Sequence, residues 1–228
     1  RMLHTVSRSH ALVAWPGVVV SFVLADELIG LWLGRTLDDP DQYVPLAALL
    51  VRIGVLGLAA RAISDGWIFL LYGAGHIRRY AKILFLGGLL NPVLAIALIL
   101  TLPDLGNEVS PRNNITGVSW AITAVFVLFN GVFLPMRGAK ILDVQLRDFL
   151  MPLLPPFLLA VAIGPILLLP NWIPALRHDG ELWGLLDLTI SMGAYGVVYG
   201  IAAFFVLLTP DERQRVRRLI PRLWPSKG

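Results

Sequence analysis

Long apolar stretches recur along the whole chain, and short polar connections separate each stretch from the next. A helix that crosses a bilayer needs about 20 mostly apolar residues, because each residue advances about 1.5 Å through a hydrocarbon core of about 30 Å. Six stretches reach this length, and they cover residues 11–34, 43–75, 81–102, 115–136, 149–169 and 182–209. The pattern predicts an all-α membrane protein whose residues 1–209 form a six-transmembrane-helix bundle.

The composition agrees with a lipid environment and gives little support for catalysis. Hydrophobic residues make up 57% of the 228 positions and charged residues 15%, and the mean hydropathy is +0.73. A water-soluble domain lacks the polar surface to cover so much apolar area. The sequence has no cysteine, no nucleophile or phosphate-loop motif, and four histidines too far apart for a metal-ligand motif. We therefore expect a protein that is not an enzyme and that binds no cofactor or metal.

Lysine and arginine are distributed unevenly between the connections. The N-terminal stretch, the second and fourth connections and the C-terminal tail together hold 14 of the 19 lysine and arginine residues. The other three connections hold only three, and Arg52 and Arg61 lie inside the second apolar stretch. Positively charged connections are retained in the cytoplasm. The distribution predicts a multi-pass protein with both termini on the cytoplasmic side.

The tail, residues 210–228, mixes arginines with apolar side chains such as Leu219 and Trp224. This arrangement predicts a short amphipathic helix on the membrane surface, where each basic residue contributes about 1 kcal/mol of attraction to anionic lipids. Nucleic-acid binding would use the same charges but would gain nothing from the apolar side chains. We therefore expect membrane lipids as partners, and no nucleic acid.

Arg61 and Asp65 are the charged pair most deeply placed in the predicted membrane. Counting back from the cytoplasmic end of the second stretch puts both near the middle of the bilayer. A charge there costs at least a few kcal/mol unless it faces protein or water, and the i, i+4 spacing lets the two side chains meet. Arg61 can line a central cavity and attract an anionic group such as a pyrophosphate. Alternatively, the pair neutralises itself and only locks this helix to its neighbours.

Other polar and helix-breaking residues give weaker indications of a cavity. Asn91 and Asn130 are expected on interior faces, because an amide facing lipid is left unpaired, although either can serve only as a hydrogen bond between helices. Tyr195 and Tyr199 share one face of the last stretch with Asp187. Prolines in several stretches predict kinks, most of which reflect packing alone. The prolines concerned are Pro16, Pro92, Pro135, Pro152, Pro155, Pro156 and Pro165.

Three segments resemble the second half of polysaccharide flippases, which belong to the MATE-like multidrug, oligosaccharidyl-lipid and polysaccharide exporter superfamily. They are residues 24–34 (LADELIGLWLG), 70–95 (LLYGAGHIRRYAKILFLGGLLNPVLA) and 114–135 (NITGVSWAITAVFVLFNGVFLP). In that family a WLG motif closes the seventh helix, here residues 32–34, and a glycine-plus-basic stretch follows the eighth, here residues 73–79. A glycine, tryptophan, alanine and threonine pattern opens the tenth, here residues 117–123.

The resemblance implies one of the two six-helix bundles that surround the central cavity of such a flippase. These proteins move an undecaprenyl-pyrophosphate-linked oligosaccharide across the bacterial inner membrane for surface polysaccharide (lipopolysaccharide) biosynthesis. The chain would then be the C-terminal half, and its partner would be an N-terminal six-helix half or a second copy. Arg61, Asp65, Asn91 and Asn130 are the expected substrate-binding residues. Two alternatives stay open: half of a cation-coupled multidrug exporter, and a membrane assembly subunit that transports nothing.

Overall fold

The computed structural model describes residues 2–34, 36, 39–73, 75–101, 116–169 and 181–214. From Met2 to Ala202 these residues form nine α-helices and no strand. The helices are α1 (Met2–Val23), α2 (Ala25–Leu33), α3 (Pro40–Gly73), α4 (Ile77–Thr101), α5 (Thr116–Phe126), α6 (Leu134–Leu142), α7 (Leu146–Leu150), α8 (Leu154–Ile163) and α9 (Glu181–Ala202). A π-helical segment, Val127–Phe133, joins α5 to α6, a 3-10 segment, Gly164–Leu168, extends α8, and a second π-helical segment, Ala203–Leu207, extends α9.

Five of these helical units are long and apolar enough to cross a membrane. Their apolar spans are Thr5–Val23, Tyr43–Ala62, Tyr80–Thr101, Thr116–Leu142 and Gly184–Leu207. They overlap the predicted first, second, third, fourth and sixth stretches. The first span begins six residues before the predicted start at residue 11, and two helices, α1 and α2, occupy the predicted stretch instead of one. The predicted fifth stretch, residues 149–169, holds a shorter apolar helical unit, Leu154–Leu168. The chain is an all-α membrane protein with five helices of clear bilayer length in its described part.

The helices present much of their apolar surface outward instead of to one another. In the span of α4 only 6% of the residues are buried inside the protein. Phe85, Val93 and Leu100 on that helix are 67%, 64% and 77% exposed. Lipid solvates such a surface without cost, whereas water would not. The distribution of burial therefore agrees with the membrane assignment that the hydropathy predicts.

Helix α3 packs against helices on two sides. On one side α1 and α2 run antiparallel to it, and on the other side α5 runs parallel to it. Arg52 on α3 donates to the carbonyl oxygen of Phe22 and pairs with Asp26, so α3 runs antiparallel to α1 and α2. On the other side, a Cβ at Gly57 would lie 3.0 Å from the Cα of Thr123, and the Thr123 hydroxyl donates to the Ile53 carbonyl across 2.5 Å. Helix α5 therefore runs parallel to α3 and in close contact with it.

Helices α1, α8 and α9 enclose the largest apolar core. Trp15 packs edge-on against Phe157 with ring centres 4.8 Å apart, and a Cβ at Gly164 would lie 3.4 Å from Val19, so α8 runs parallel to α1. The Tyr195 hydroxyl donates to the carbonyl of Ala160 across 3.2 Å. This contact holds α9 against α8. A second core joins the end of α3 to α4 and α6 through Ile68, Leu71, Tyr80, Leu134 and Ala139.

Prolines lie within or beside several of these helices. Helices α1 and α4 continue as α-helix through Pro16 and Pro92. Neighbouring helices and local adjustment satisfy the carbonyl freed by a proline. Pro135 instead follows the first π-helical segment, and Pro165 lies in the 3-10 segment. Their ring geometry accounts for local departures from the α-helical pattern.

The predicted tail lies mostly outside the described residues. A helical turn is described over residues 210–214, and Thr209 caps it. The Thr209 backbone N–H donates to the Glu212 carboxylate across 2.8 Å, and the Glu212 backbone N–H donates to the Thr209 hydroxyl oxygen across 3.4 Å. This is the capping-box arrangement of a helix N-terminus. Residues 215–228, which carry the other tail arginines and the apolar stripe, are not among those described.

Candidate functional site

The predicted pair on α3 forms in the structure. Arg61 Nε lies 3.5 Å from Asp65 Oδ2, and the two side chains are 52% and 32% exposed. The Arg61 guanidinium carbon also lies 5.7 Å from the centre of the Phe126 ring, a distance at which the cation is attracted to the ring face. The arginine therefore has an acidic neighbour and an aromatic neighbour, yet half of its side chain remains uncovered by protein.

The depth of Arg61 follows from the helices beside it. Ile68 on α3 packs at the level of Tyr80 and Leu134, which are within one turn of the basic residues Lys82 and Arg137. Arg61 precedes Ile68 by seven residues, which is about 10 Å along an α-helix. Hydropathy alone ends the apolar span at Ala62. The packing of α3 against α4 and α6 puts Arg61 about 10 Å from the level of Tyr80 and Leu134.

Ser64 connects this part of α3 to the π-helical segment. Its hydroxyl donates to Asn130 Oδ1 across 2.9 Å, and the carbonyl oxygen of Arg61 lies 3.0 Å from the same hydroxyl. Ser64 is 0% exposed and Asn130 is 6% exposed. A hydroxyl has one proton, so the two acceptors share one donor. The bond fixes the register of the Arg61 turn against the neighbouring helix.

The π-helical segment explains how Asn130 reaches Ser64. Pro135 has no backbone N–H, and Leu134 donates to Phe129 five residues earlier instead of four. The wider turn changes the direction in which the side chains of the π-helical segment point relative to those of α5. Single π-turns within α-helices are frequent at functional sites. Here the turn brings Asn130 to the face of α3 that carries Arg61.

Asn91, the fourth predicted site residue, is not joined to the other three. It lies on α4, is partly buried, and its Oδ1 has no hydrogen-bond partner among the described residues. Arg61, Asp65 and Asn130 therefore belong to one cluster with Ser64 and Phe126, whereas Asn91 belongs to a separate helix surface.

The tyrosines of the last stretch are core residues. Tyr195 and Tyr199 are 1% and 6% exposed, and both pack in the cluster of α1, α8 and α9. Their rings stack with centres 6.1 Å apart. They fill the interior of the bundle and do not line a cavity face.

Three contacts in the structure involve residues that sequence analysis did not select. Ser64 is one turn from Arg61, and Phe126 is one turn before Asn130, so helical spacing from the chosen residues would have found both. The third contact joins the two ends of the chain. Arg8 on α1 donates to the carbonyl oxygen of Leu207 and pairs with Glu212 across 2.7 Å.

Electrostatics at that contact lower the pKa of Glu212. Burial alone would raise it, but hydrogen bonds from Thr209 and the charge and hydrogen bond of Arg8 outweigh burial. The carboxylate is therefore held in its charged form, and its pKa lies below its ordinary value.

Comparison with known proteins returns no match for this chain, whether to a family model, to a curated protein or to a solved structure. The chemistry of the cluster is therefore judged from its own geometry. A half-exposed arginine with an aromatic ring and one carboxylate beside it has the charge and the N–H donors that an anionic group requires. Within the described residues, no group of three metal-ligating side chains occurs.

Proposed function

We propose that this chain is one six-helix bundle of a MATE-like flippase, the C-terminal half, which moves a lipid-linked oligosaccharide across the bacterial inner membrane. The observation that carries the proposal is the placement of Arg61. An arginine at that depth cannot remain half exposed to hydrocarbon without a cost of several kcal/mol. A water-filled cavity, closed on its other side by a second bundle, removes that cost and gives the arginine a ligand.

The contact between the chain ends supports an even number of crossings. Arg8 near the start of α1 pairs with Glu212, which follows the last membrane helix, so both residues lie at the same end of the bundle. Five crossings would separate them. The unit Leu154–Leu168 supplies the sixth, because ten α-helical and five 3-10 residues extend about 25 Å. That length crosses a bilayer with slight thinning.

The distribution of charge supports cytoplasmic termini. Because α1 and α3 are antiparallel, the end of the bundle that holds Arg8 also holds the connection from α3 to α4. The described basic residues at this end are Arg8, Arg78, Lys82, Arg137, Lys140, Arg147 and Arg213. At the opposite end Arg52 is paired with Asp26. Cytoplasmic retention of the basic end gives the proposed orientation.

In the proposed role, Arg61 contacts the pyrophosphate of the lipid-linked substrate. The planar guanidinium presents paired N–H donors that match phosphate oxygens, and its charge persists at every physiological pH. Asp65 keeps the cation neutralised while the cavity is empty. Ser64 and Asn130 hold the backbone of this turn in place. A second bundle, from an N-terminal half or a second copy, supplies the opposite wall.

Replacement of Arg61 in the intact gene tests this role. We expect Arg61→Ala to abolish surface polysaccharide while membrane insertion stays normal, and Arg61→Lys to restore only part of it because an ammonium group lacks the planar fork. Arg52→Ala is the matched control, because it removes an arginine from the same helix at the opposite end. Normal polysaccharide in the Arg61→Ala strain would contradict the proposed contact.

One observation favours a second candidate, a membrane assembly subunit without transport activity. Arg61 and Asp65 already pair with each other, and a self-neutralised pair needs no substrate. Under this alternative, Asp65→Asn added to Arg61→Ala restores surface polysaccharide, because only the unpaired charge of Asp65 was harmful. A substrate contact predicts that the double variant stays inactive. A cation-coupled exporter predicts instead that Asp65→Asn alone is inactive.

A further inference from the structure

A groove of 420 Å³ opens between α4 and the unit formed by the first π-helical segment and α6. Its lining is mainly apolar, and three of its side chains are well exposed: Leu86 is 57%, Phe133 43% and Met136 55% exposed. Its exposed lining places it on the surface of the bundle, and neither Ser64 nor Asn130 is among the residues that line it. Bilayer lipid is in contact with such a surface.

Two cations stand at one end of this groove. Arg137 and Lys140 both line it, both are exposed, and their i, i+3 spacing puts them on neighbouring positions of α6. Neither residue takes part in an ion pair within the described part of the chain. They lie at the basic end of the bundle, where lipid headgroups meet the helices. The groove therefore combines a surface for a hydrocarbon chain with two uncompensated charges at headgroup height.

We propose that this groove binds an anionic phospholipid of the adjacent leaflet. The acyl chain lies against Leu86, Phe133 and Met136, and the phosphate lies between Arg137 and Lys140. A zwitterionic lipid fills the apolar part equally well but carries a compensating positive charge, so the two cations select for net negative headgroups. The inference is independent of the proposed transport function, since the groove does not include Arg61.

Lipid retention by the purified protein tests the selectivity. The protein in mild detergent is offered equal amounts of phosphatidylglycerol and phosphatidylcholine, and native mass spectrometry counts the lipids that stay bound. We expect a preference for phosphatidylglycerol that falls about 25-fold in Arg137→Gln/Lys140→Gln, since each basic residue near the surface contributes about fivefold. The matched control, Arg78→Gln/Arg147→Gln, removes two exposed charges from the same end of the bundle but outside the groove. It should keep the preference.

A second variant separates a bound lipid from a bound anion. Leu86→Trp leaves both cations in place and narrows the groove, so it should lower the retention of phosphatidylglycerol without changing competition by inorganic phosphate. Equal loss of preference in the two charge-removing double variants would overturn the proposal. It would also be overturned if Leu86→Trp had no effect while inorganic phosphate alone displaced all bound lipid, because the site would then take a free anion.

Discussion

Two buried serines provide a direct test of the packing around Arg61. Ser64 is 0% exposed and donates across helices to Asn130 over 2.9 Å, whereas Ser7 is 1% exposed and its hydroxyl has no partner among the described residues. Hydrogen bonds between membrane helices contribute about 0.6 kcal/mol on average and up to about 1.7 kcal/mol. We expect Ser64→Ala to lower the free energy of unfolding by about 1 kcal/mol. Ser7→Ala should leave it unchanged or raise it, because the variant removes an unpaired buried hydroxyl.

Both changes are measured by unfolding the protein in mixed lipid and detergent micelles. Sodium dodecyl sulfate is added, and circular dichroism monitors the unfolding. A double-mutant cycle of Ser64→Ala with Asn130→Ala isolates the energy of the bond. We expect a coupling energy within the range for membrane helices. If Ser7→Ala costs as much as Ser64→Ala, or if the cycle gives no coupling, the register of α3 against the π-helical segment is different from that described here.

Two further predictions concern the chain ends and the contact of α4 with α5. The pKa of Glu212 is lowered on folding. The charged carboxylate should therefore contribute fully to the free energy of unfolding above its ordinary pKa, about 4.3, and this contribution should disappear as pH falls through the lower folded pKa. The difference in thermal stability between the natural protein and Glu212→Gln should therefore be constant at neutral pH and vanish in acid; a difference that persists there would contradict the Arg8 contact. Gly117→Ala should destabilise by about 1–3 kcal/mol in the same unfolding assay, since its Cβ would lie 2.8 Å from the Ile99 nitrogen. Gly193→Ala, which meets nothing within 4 Å, should be neutral, and an equal loss in both variants would contradict the close approach.

The sequence predicts local features of this fold well and contacts between helices poorly. Helical period and hydropathy located five of the bilayer-length spans, and i, i+4 spacing was sufficient to pair Arg61 with Asp65. The bond from Ser64 to Asn130 depends on how two separate helices align along their axes. That alignment is set by small residues such as Gly57 and by the π-turn before Pro135. No periodicity in a single sequence records either effect.

The fifth predicted stretch shows a second limit. Residues 149–169 are apolar enough for a full crossing, but Pro152 and Pro165 shorten the regular helix to Leu154–Ile163 and convert its end to a 3-10 segment. Hydropathy measures the solvent that a segment prefers, whereas proline determines how far its backbone can continue as an α-helix. In this stretch the two criteria diverge.

The accessibility of position 61 to water tests the account most directly. The chain has no cysteine, so Arg61→Cys introduces a single thiol. The control is Leu89→Cys on α4, which has a similar exposed fraction, 52%. Leu89 lies two residues from Gly87, where a Cβ would approach the Phe129 ring to 3.2 Å. Phe129 precedes Asn130, the partner of Ser64, so the control position lies near the same level of the bundle as Arg61. A charged, membrane-impermeant thiol reagent should label Arg61→Cys from water in native membranes and leave Leu89→Cys unreacted. Labelling of neither position, or equal labelling of both, would contradict a water-filled cavity at Arg61.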